Sequence, residues 1–284
     1  MTRSVMTIWK CMLLAAVVAA LAGALPVRAA DTFILSTDSA ATLGSLSFQD
    51  EDLVEYDAAT DTATVLFDGT TLFTNGATED VNAVCVLPNG NIVLSNDYNA
   101  TELGGLTFDR CDLVEYNPAT DTATLFFDGY PKFGTWSDID AVHVLANGHI
   151  ILSTDVNATL GGLGFQDEDL VEYDPVAQTA TLFFDGTTLF TDGGAEDVDA
   201  VCVLPNGHII LSTETDATLN GFAFEDEDLV EYDPVAGTAT LFFDGSASLS
   251  PAGDVNAVHV PEPASLAVLG IGALGVLLRR RPRA

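Results

Sequence analysis

Four pairs of oxygen-bearing residues recur along this chain at a spacing of two: Asp80/Asn82, Asp138/Asp140, Asp197/Asp199 and Asp254/Asn256. Side chains two apart on an extended strand point the same way, so each pair could hold one hard cation between its oxygens. An all-oxygen donor set suits calcium or magnesium. Asp and Asn also commonly accept backbone N–H groups in turns, and that structural role competes with metal binding at every one of these positions. A second acidic group, Asp50-Glu51-Asp52, returns at 167–169 and 226–228 and degrades to Asp109-Arg110-Cys111-Asp112. No EF-hand loop, with its spaced acids, central glycine and final Glu, is present.

Cys85, His143, Cys202 and His259 form another recurrence, at one register in four similar runs (AVCV, AVHV, AVCV, AVHV). Two Cys and two His make a zinc ligand set, although a planar ring of four suits tetrahedral zinc poorly. A Cys85–Cys202 disulfide would need Cα atoms within about 7 Å. The competing role is packing, because a buried Cys behaves as a small hydrophobe. For catalysis the signal is poor. The histidines are His143, His149, His208 and His259. None sits in a nucleophile elbow, a zinc-protease motif or a phosphate-binding loop, and abundant acids do not by themselves make a glycosidase pair.

These residues sit in a repeating frame. The motif DLVEY(D/N) starts at Asp52, Asp112, Asp169 and Asp228, giving spacings of 60, 57 and 59 residues. Each repeat of about 58 residues holds four candidate strands, typified by AVCVL, HIILS, DLVEYD and TATLFFDG, separated by Gly, Pro, Asn and Asp. No stretch of the repeats shows a long helical period. Four antiparallel strands per repeat is the make-up of a propeller blade. The first two strands read as continuous apolar runs, as expected near the axis, and the third alternates, as expected nearer the rim. The fourth is ambiguous, because Phe126 and Phe127 are adjacent, as are Phe183 and Phe184.

One copy of the first hairpin is split. Its second strand lies in Thr32–Asp38 and its first in Asp254–Val260, at opposite ends of the repeats. Antiparallel pairing of 33–37 with 256–260 would complete a fourth blade and leave no unpaired edge. The expected fold is therefore an all-β, four-bladed propeller over residues 30–260, with its ring closed by the N- and C-terminal strands. The alternatives are another stacked β architecture and a larger ring built from two chains. Long acidic loops fall on one face, and a binding site is expected there.

The formal charge of −33 understates the acidity of the repeats. Seven of the nine bases lie in the end segments, so residues 31–260 carry Arg110 and Lys132 against 41 acids, a formal −39. Such a surface excludes nucleic acid as a partner and attracts cations; it also keeps an exported protein soluble. Cys85, Cys111 and Cys202 remain after the first thirty residues. An odd number cannot pair fully within one chain, so this is not a disulfide scaffold. Residues 1–29 read as a secretory signal: Arg3 and Lys10, an apolar run from Met12 to Leu25, then small residues before a cut at Ala29.

The chain ends with Pro261-Glu262-Pro263, an apolar run from Ala264 to Leu278 and the cluster Arg279-Arg280-Arg281-Pro282-Arg283. The 15-residue run is shorter than the roughly 20 needed to span a bilayer, and flanking arginines that snorkel make up part of the difference. This ordered triple, residues 261–284, resembles the PEP-CTERM sorting signal of Gram-negative bacteria. The resemblance implies that Pro261, Glu262 and Pro263 are recognised by a membrane-embedded exosortase. It further implies that the tail is a short transmembrane helix holding the protein until processing, and that the destination is the cell surface or extracellular matrix. The repeats also look like acidic propeller-like repeats of bacterial exported proteins. The expected function is a non-enzymatic surface or matrix protein, with divalent cations (calcium foremost) and exopolysaccharide as candidate ligands. A lectin-like carbohydrate-binding module and a secreted hydrolase are the alternatives.

Overall fold

Short runs of Val, Ile, Leu and Phe bounded by Gly, Asn and Asp fold here as strands of a four-bladed propeller arrangement. A computed structural model describes residues 32–74, 78–191 and 196–261. The signal segment with Ala29, the residues Glu262 and Pro263, and the apolar tail lie outside the described residues. Among the described residues no helix is long and apolar enough to cross a membrane.

The inner strands are Ala83–Val86, Ala141–Val144, Ala200–Val203 and Ala257–His259. Each pairs antiparallel with a second strand, then a third and an outer one, giving four four-stranded sheets. In the sheet containing Thr32–Ser36, the inner strand comes from the other end of the repeats. Ile34 lies opposite His259, Leu35 opposite Val258 and Ser36 opposite Ala257.

Burial follows radial position. The second strands Ile92–Ser95, Ile150–Ser153 and Ile209–Ser212 are buried at every residue, whereas the outer strand Thr62–Phe67 is buried only at Phe67. A register shift between the third and outer strands recurs in every blade, as between Leu170 and Val171. Leu170 then faces Phe184 and Val171 faces Leu182, so Phe183 is skipped and Phe184 turns inward. This bulge resolves the ambiguity of the adjacent phenylalanines. The inward ring meets a tyrosine of the next blade edge-on: Phe67–Tyr116, Phe127–Tyr173, Phe184–Tyr232 and Phe243–Tyr56, with centroids 5.5, 5.6, 5.7 and 5.9 Å apart.

Two features depart from the four-strand expectation. A small hairpin stands between the second and third strands of each repeat, as in Ala158–Leu160 paired with Leu163–Phe165. Its Gly161-Gly162 turn has φ of +56° and +86°, which glycine adopts without strain and which matches the twist of a two-residue hairpin. A one-turn helix also follows each outer strand, such as Gly186–Leu189, with the Asp185 carboxylate accepting from Thr188 N at 3.1 Å. Its first residue must be glycine. A Cβ on Gly186 would fall 2.0 Å from the Glu168 carbonyl oxygen, and Gly69, Gly129 and Gly245 are equally confined.

Candidate functional site

The loops that enter the inner strands and leave the second strands converge at one end of the axis. They enclose a cavity of about 500 Å³ whose wall includes all eight residues of the recurring pairs. Asp38, Asp97, Asp155 and Glu214 line it as well; sequence reasoning missed them, although each closes a legible motif (LSTD, LSND, LSTD, LSTE). They stitch the loops together. Asp80 N donates to Asp97 Oδ1 at 2.9 Å and Asp138 N to Asp155 Oδ1 at 2.7 Å.

The two residues of each pair do not face each other. They precede the inner strands, which begin at Ala83, Ala141, Ala200 and Ala257, and their side chains engage the neighbouring blade more than each other. Asn256 Nδ2 donates to both oxygens of Asp80 at 3.1 Å. Asn82 hydrogen-bonds Asp140, whose strongest charged neighbour is Asp197. The carboxyls of Asp199 and Asp254 lie within hydrogen-bonding reach of each other. The extended lead-in follows the curve of the ring, so the second residue of each pair reaches sideways.

Burial away from water pushes these carboxyls up. Asp80, Asp197 and Asp254 rise to about 8, and Asp140 and Asp199 rise well above the ordinary carboxylate range. Asp138 rises to about 7 by burial and by Asp155, against the opposing pull of Arg110, whose Nε stands 2.8 Å from Asp138 Oδ1. No donor reaches Asp140 Oδ2, Asp197 Oδ1, either oxygen of Asp199, or Asp254 Oδ1. Among the described residues, no three His, Cys, Asp or Glu side chains are gathered to hold a metal ion. The mouth is an open array of carboxylates, suited to cations that keep much of their water.

The last residue of each second acidic group is structural. Asp52, Asp112, Asp169 and Asp228 each accept two backbone N–H groups, as Asp169 does from Gln166 and Gly186 at 3.0 Å. Their carboxylates anchor the glycine that starts each one-turn helix.

Three of the four members of the Cys/His register are satisfied by the protein itself, and the fourth, His259, keeps a buried Nδ1 that no donor reaches. Cys85 Sγ accepts from Val144 N, His143 Nδ1 from Val203 N and Cys202 Sγ from Val260 N, each at 3.3 Å and each from the next blade. Cys85 and Cys202 are not joined by a disulfide, and the four side chains with His143 and His259 form no metal site among the described residues. The disulfide expectation is corrected because both thiols are free, and three of the four candidate metal ligands are already engaged by backbone N–H groups at an edge between inner strands. Cys111 is a buried thiol, pushed up to about 11 by burial.

One loop differs from its three counterparts. Residues 130–136, YPKFGTW, expose Tyr130 and Trp136, whose rings lie side by side, tilted 38° to each other with centroids 4.6 Å apart. A neighbouring cleft of about 520 Å³ carries Thr135, Asn157 and Gln166. Trp136 is the sole Trp of the repeats, which was the available signal.

Residues 259–281 match the PEP-CTERM protein-sorting motif. That motif marks a protein exported and sorted to the cell envelope or surface, and it implies processing by an exosortase membrane enzyme. No curated protein matches the chain. Among solved structures, an auxiliary nutrient binding protein from Bacteroides thetaiotaomicron is similar at 12% identity over 78% of this chain and 51% of that one, with a TM-score of 0.35. A protein of unknown function from Bacteroides caccae is similar at 8% identity over 74% and 72%, TM-score 0.32. The extracellular domain of a protein described as a hybrid two-component system from B. thetaiotaomicron has 10% identity, 72% coverage and a TM-score of 0.31. This chain spans only 22% of its length. Likenesses this slight carry no argument about function.

Proposed function

We propose that this is a non-enzymatic surface or matrix protein of a Gram-negative bacterium, a ring closed within one chain whose axial acidic mouth binds divalent cations, calcium foremost. The observation that carries the reading is the set of buried carboxylate oxygens around the mouth that no donor of the protein reaches. Closure within one chain is supported by the pairing of Thr32–Ser36 with Ala257–His259 and by the Phe243–Tyr56 contact. The placing of acids at every blade around the axis favours binding over hydrolysis, which needs one carboxyl pair at a definite separation.

The test is thermal unfolding of the full chain during calcium titration. A ligand selective for the folded state must stabilise it, so Tm should climb with calcium through the millimolar range. A Tm that stays fixed throughout overturns the reading. A lectin-like reading is favoured separately by the Tyr130–Trp136 pair beside its polar cleft, since sugars bind on aromatic faces rimmed by hydrogen-bonding groups. Exopolysaccharide is the corresponding partner. Loss of binding to a polysaccharide array in Trp136→Ala checks it.

A further inference from the structure

The axial mouth is four-fold in its backbone but not in its chemistry. At two of the four junctions between blades an amide meets a carboxylate: Asn256 with Asp80, and Asn82 with Asp140. At the other two, which adjoin the same blade, a carboxyl faces its own kind: Asp199 lies within hydrogen-bonding reach of Asp254, and Asp197 is the strongest charged neighbour of Asp140.

An amide brings its own hydrogens, so it satisfies the carboxylate it faces, as Asn256 does for both oxygens of Asp80. Two ionised carboxylates bring none. The donorless oxygens are distributed accordingly. Asp140 Oδ2, Asp197 Oδ1, both oxygens of Asp199 and Asp254 Oδ1 meet no amide or backbone donor, whereas neither oxygen of Asp80 is left so and, Asp140 aside, the Asn–Asp junctions leave only the amide oxygen Asn256 Oδ1 in that state. Asp140 and Asp199 are each only 6% exposed, so water compensates them poorly, and buried unpaired polar atoms are costly. Both side chains line the cavity.

We propose that divalent cations, of the calcium class, bind at the two Asp–Asp junctions and not at the two Asn–Asp junctions, so that one half of the ring holds two ions. The inference rests on the cation-binding reading above and locates it. Facing carboxylate oxygens are hard donors, and calcium tolerates the irregular geometry and mixed protein–water shell that they offer better than magnesium does. With two carboxylates per junction and no ready-made cage, each ion retains several waters. The affinity expected is that of extracellular calcium modules, about 10⁻⁴–10⁻³ M.

Isothermal titration of the full chain with calcium chloride tests the assignment, with circular dichroism melts confirming that each variant folds. The wild type should take two ions. Asp140→Asn and Asp199→Asn should each convert one junction to the amide type and lose one ion. Asn256→Asp, which gives Asp80 a carboxylate to face, should gain a third. An unchanged stoichiometry of two in both Asp→Asn variants, or in Asn256→Asp, overturns the inference and leaves the cation-binding reading standing. A wild type that takes no calcium up to about 10 mM, well beyond the affinity expected of such modules, overturns both.

Discussion

Asp199 and Cys202 stand three residues apart on one inner-strand segment, and both belong to four-fold recurrences that look equally like ligand sets in sequence. Their fates in the ring differ. The Cys202 sulfur accepts Val260 N of the next blade, and Cys85 and His143 do the same with their own neighbours. The oxygens of Asp199 face the carboxyl of Asp254, with Asp197 and Asp140 as further charged neighbours, and meet no amide or backbone donor. One recurrence is consumed by the architecture at three of its four members, with His259 Nδ1 left over, and the other is left with unmet demand at several carboxyl oxygens. What separates a structural repeat from a binding site here is which atoms remain without partners once the strands have paired.

Three perturbations would break or sharpen that contrast. The largest effect is expected from Cys202→Asp, which places a carboxylate where the surroundings hold a backbone donor but no compensating charge. It should cost about 3–5 kcal/mol, the scale of an unpaired buried charge, in urea unfolding at neutral pH, and calcium should not restore it. A variant as stable as the wild type would show that the inner register tolerates charge as the mouth does.

Next comes the acid limb of stability. Burial holds His143 and His259 at about 4, below the ordinary 6.5. Protonation therefore favours the unfolded chain, and the stability from neutral histidine is full above about 6.5 and lost as pH falls toward 4. A shift of this size corresponds to about 3 kcal/mol per histidine at its limit. Unfolding free energies of wild type and His143→Leu between pH 7 and 4.5 should converge as pH drops; parallel curves would refute the assignment. The carboxyls of the mouth work with the opposite sign. Asp197 and Asp254, raised to about 8, stabilise the fold fully below their unfolded value near 3.8 and lose that contribution as pH rises through about 8.

The smallest effect follows from that second limb. With calcium chelated at pH 8, Asp199→Asn should be more stable than wild type by about 1 kcal/mol, because the amide supplies Asp254 with a hydrogen bond. Saturating calcium should reverse the order. If the variant is destabilised under both conditions, the Asp199–Asp254 junction is already satisfied in the free protein.

Much of this was legible in the chain. The two half-copies of the hairpin point to the pairing of Thr32–Ser36 with Ala257–His259, because a strand with an unpaired edge seeks a partner. The inter-strand hairpins carried a signal in Ala-Thr-Leu, Gly-Gly, Leu-x-Phe that a closer reading of alternation about glycine would have found. The inward turn of Phe184 rather than Phe183 was not legible, since it depends on a bulge set by the opposing strand.

By itself the sequence determined the repeat, the strand chemistry, the acidity of one loop face and the sorting tail, since all four rest on composition and local order. It also supplied the Asn–Asp–Asp–Asn alternation around the mouth. Only the tertiary structure decided that Asp140 and Asp199 reach the next blade rather than their neighbours two residues away, and that the Cys85, His143 and Cys202 acceptors are taken by backbone donors. Hydrogen-bond satisfaction is a relation between segments about 60 residues apart in the chain, and no local pattern encodes which donor arrives at which acceptor.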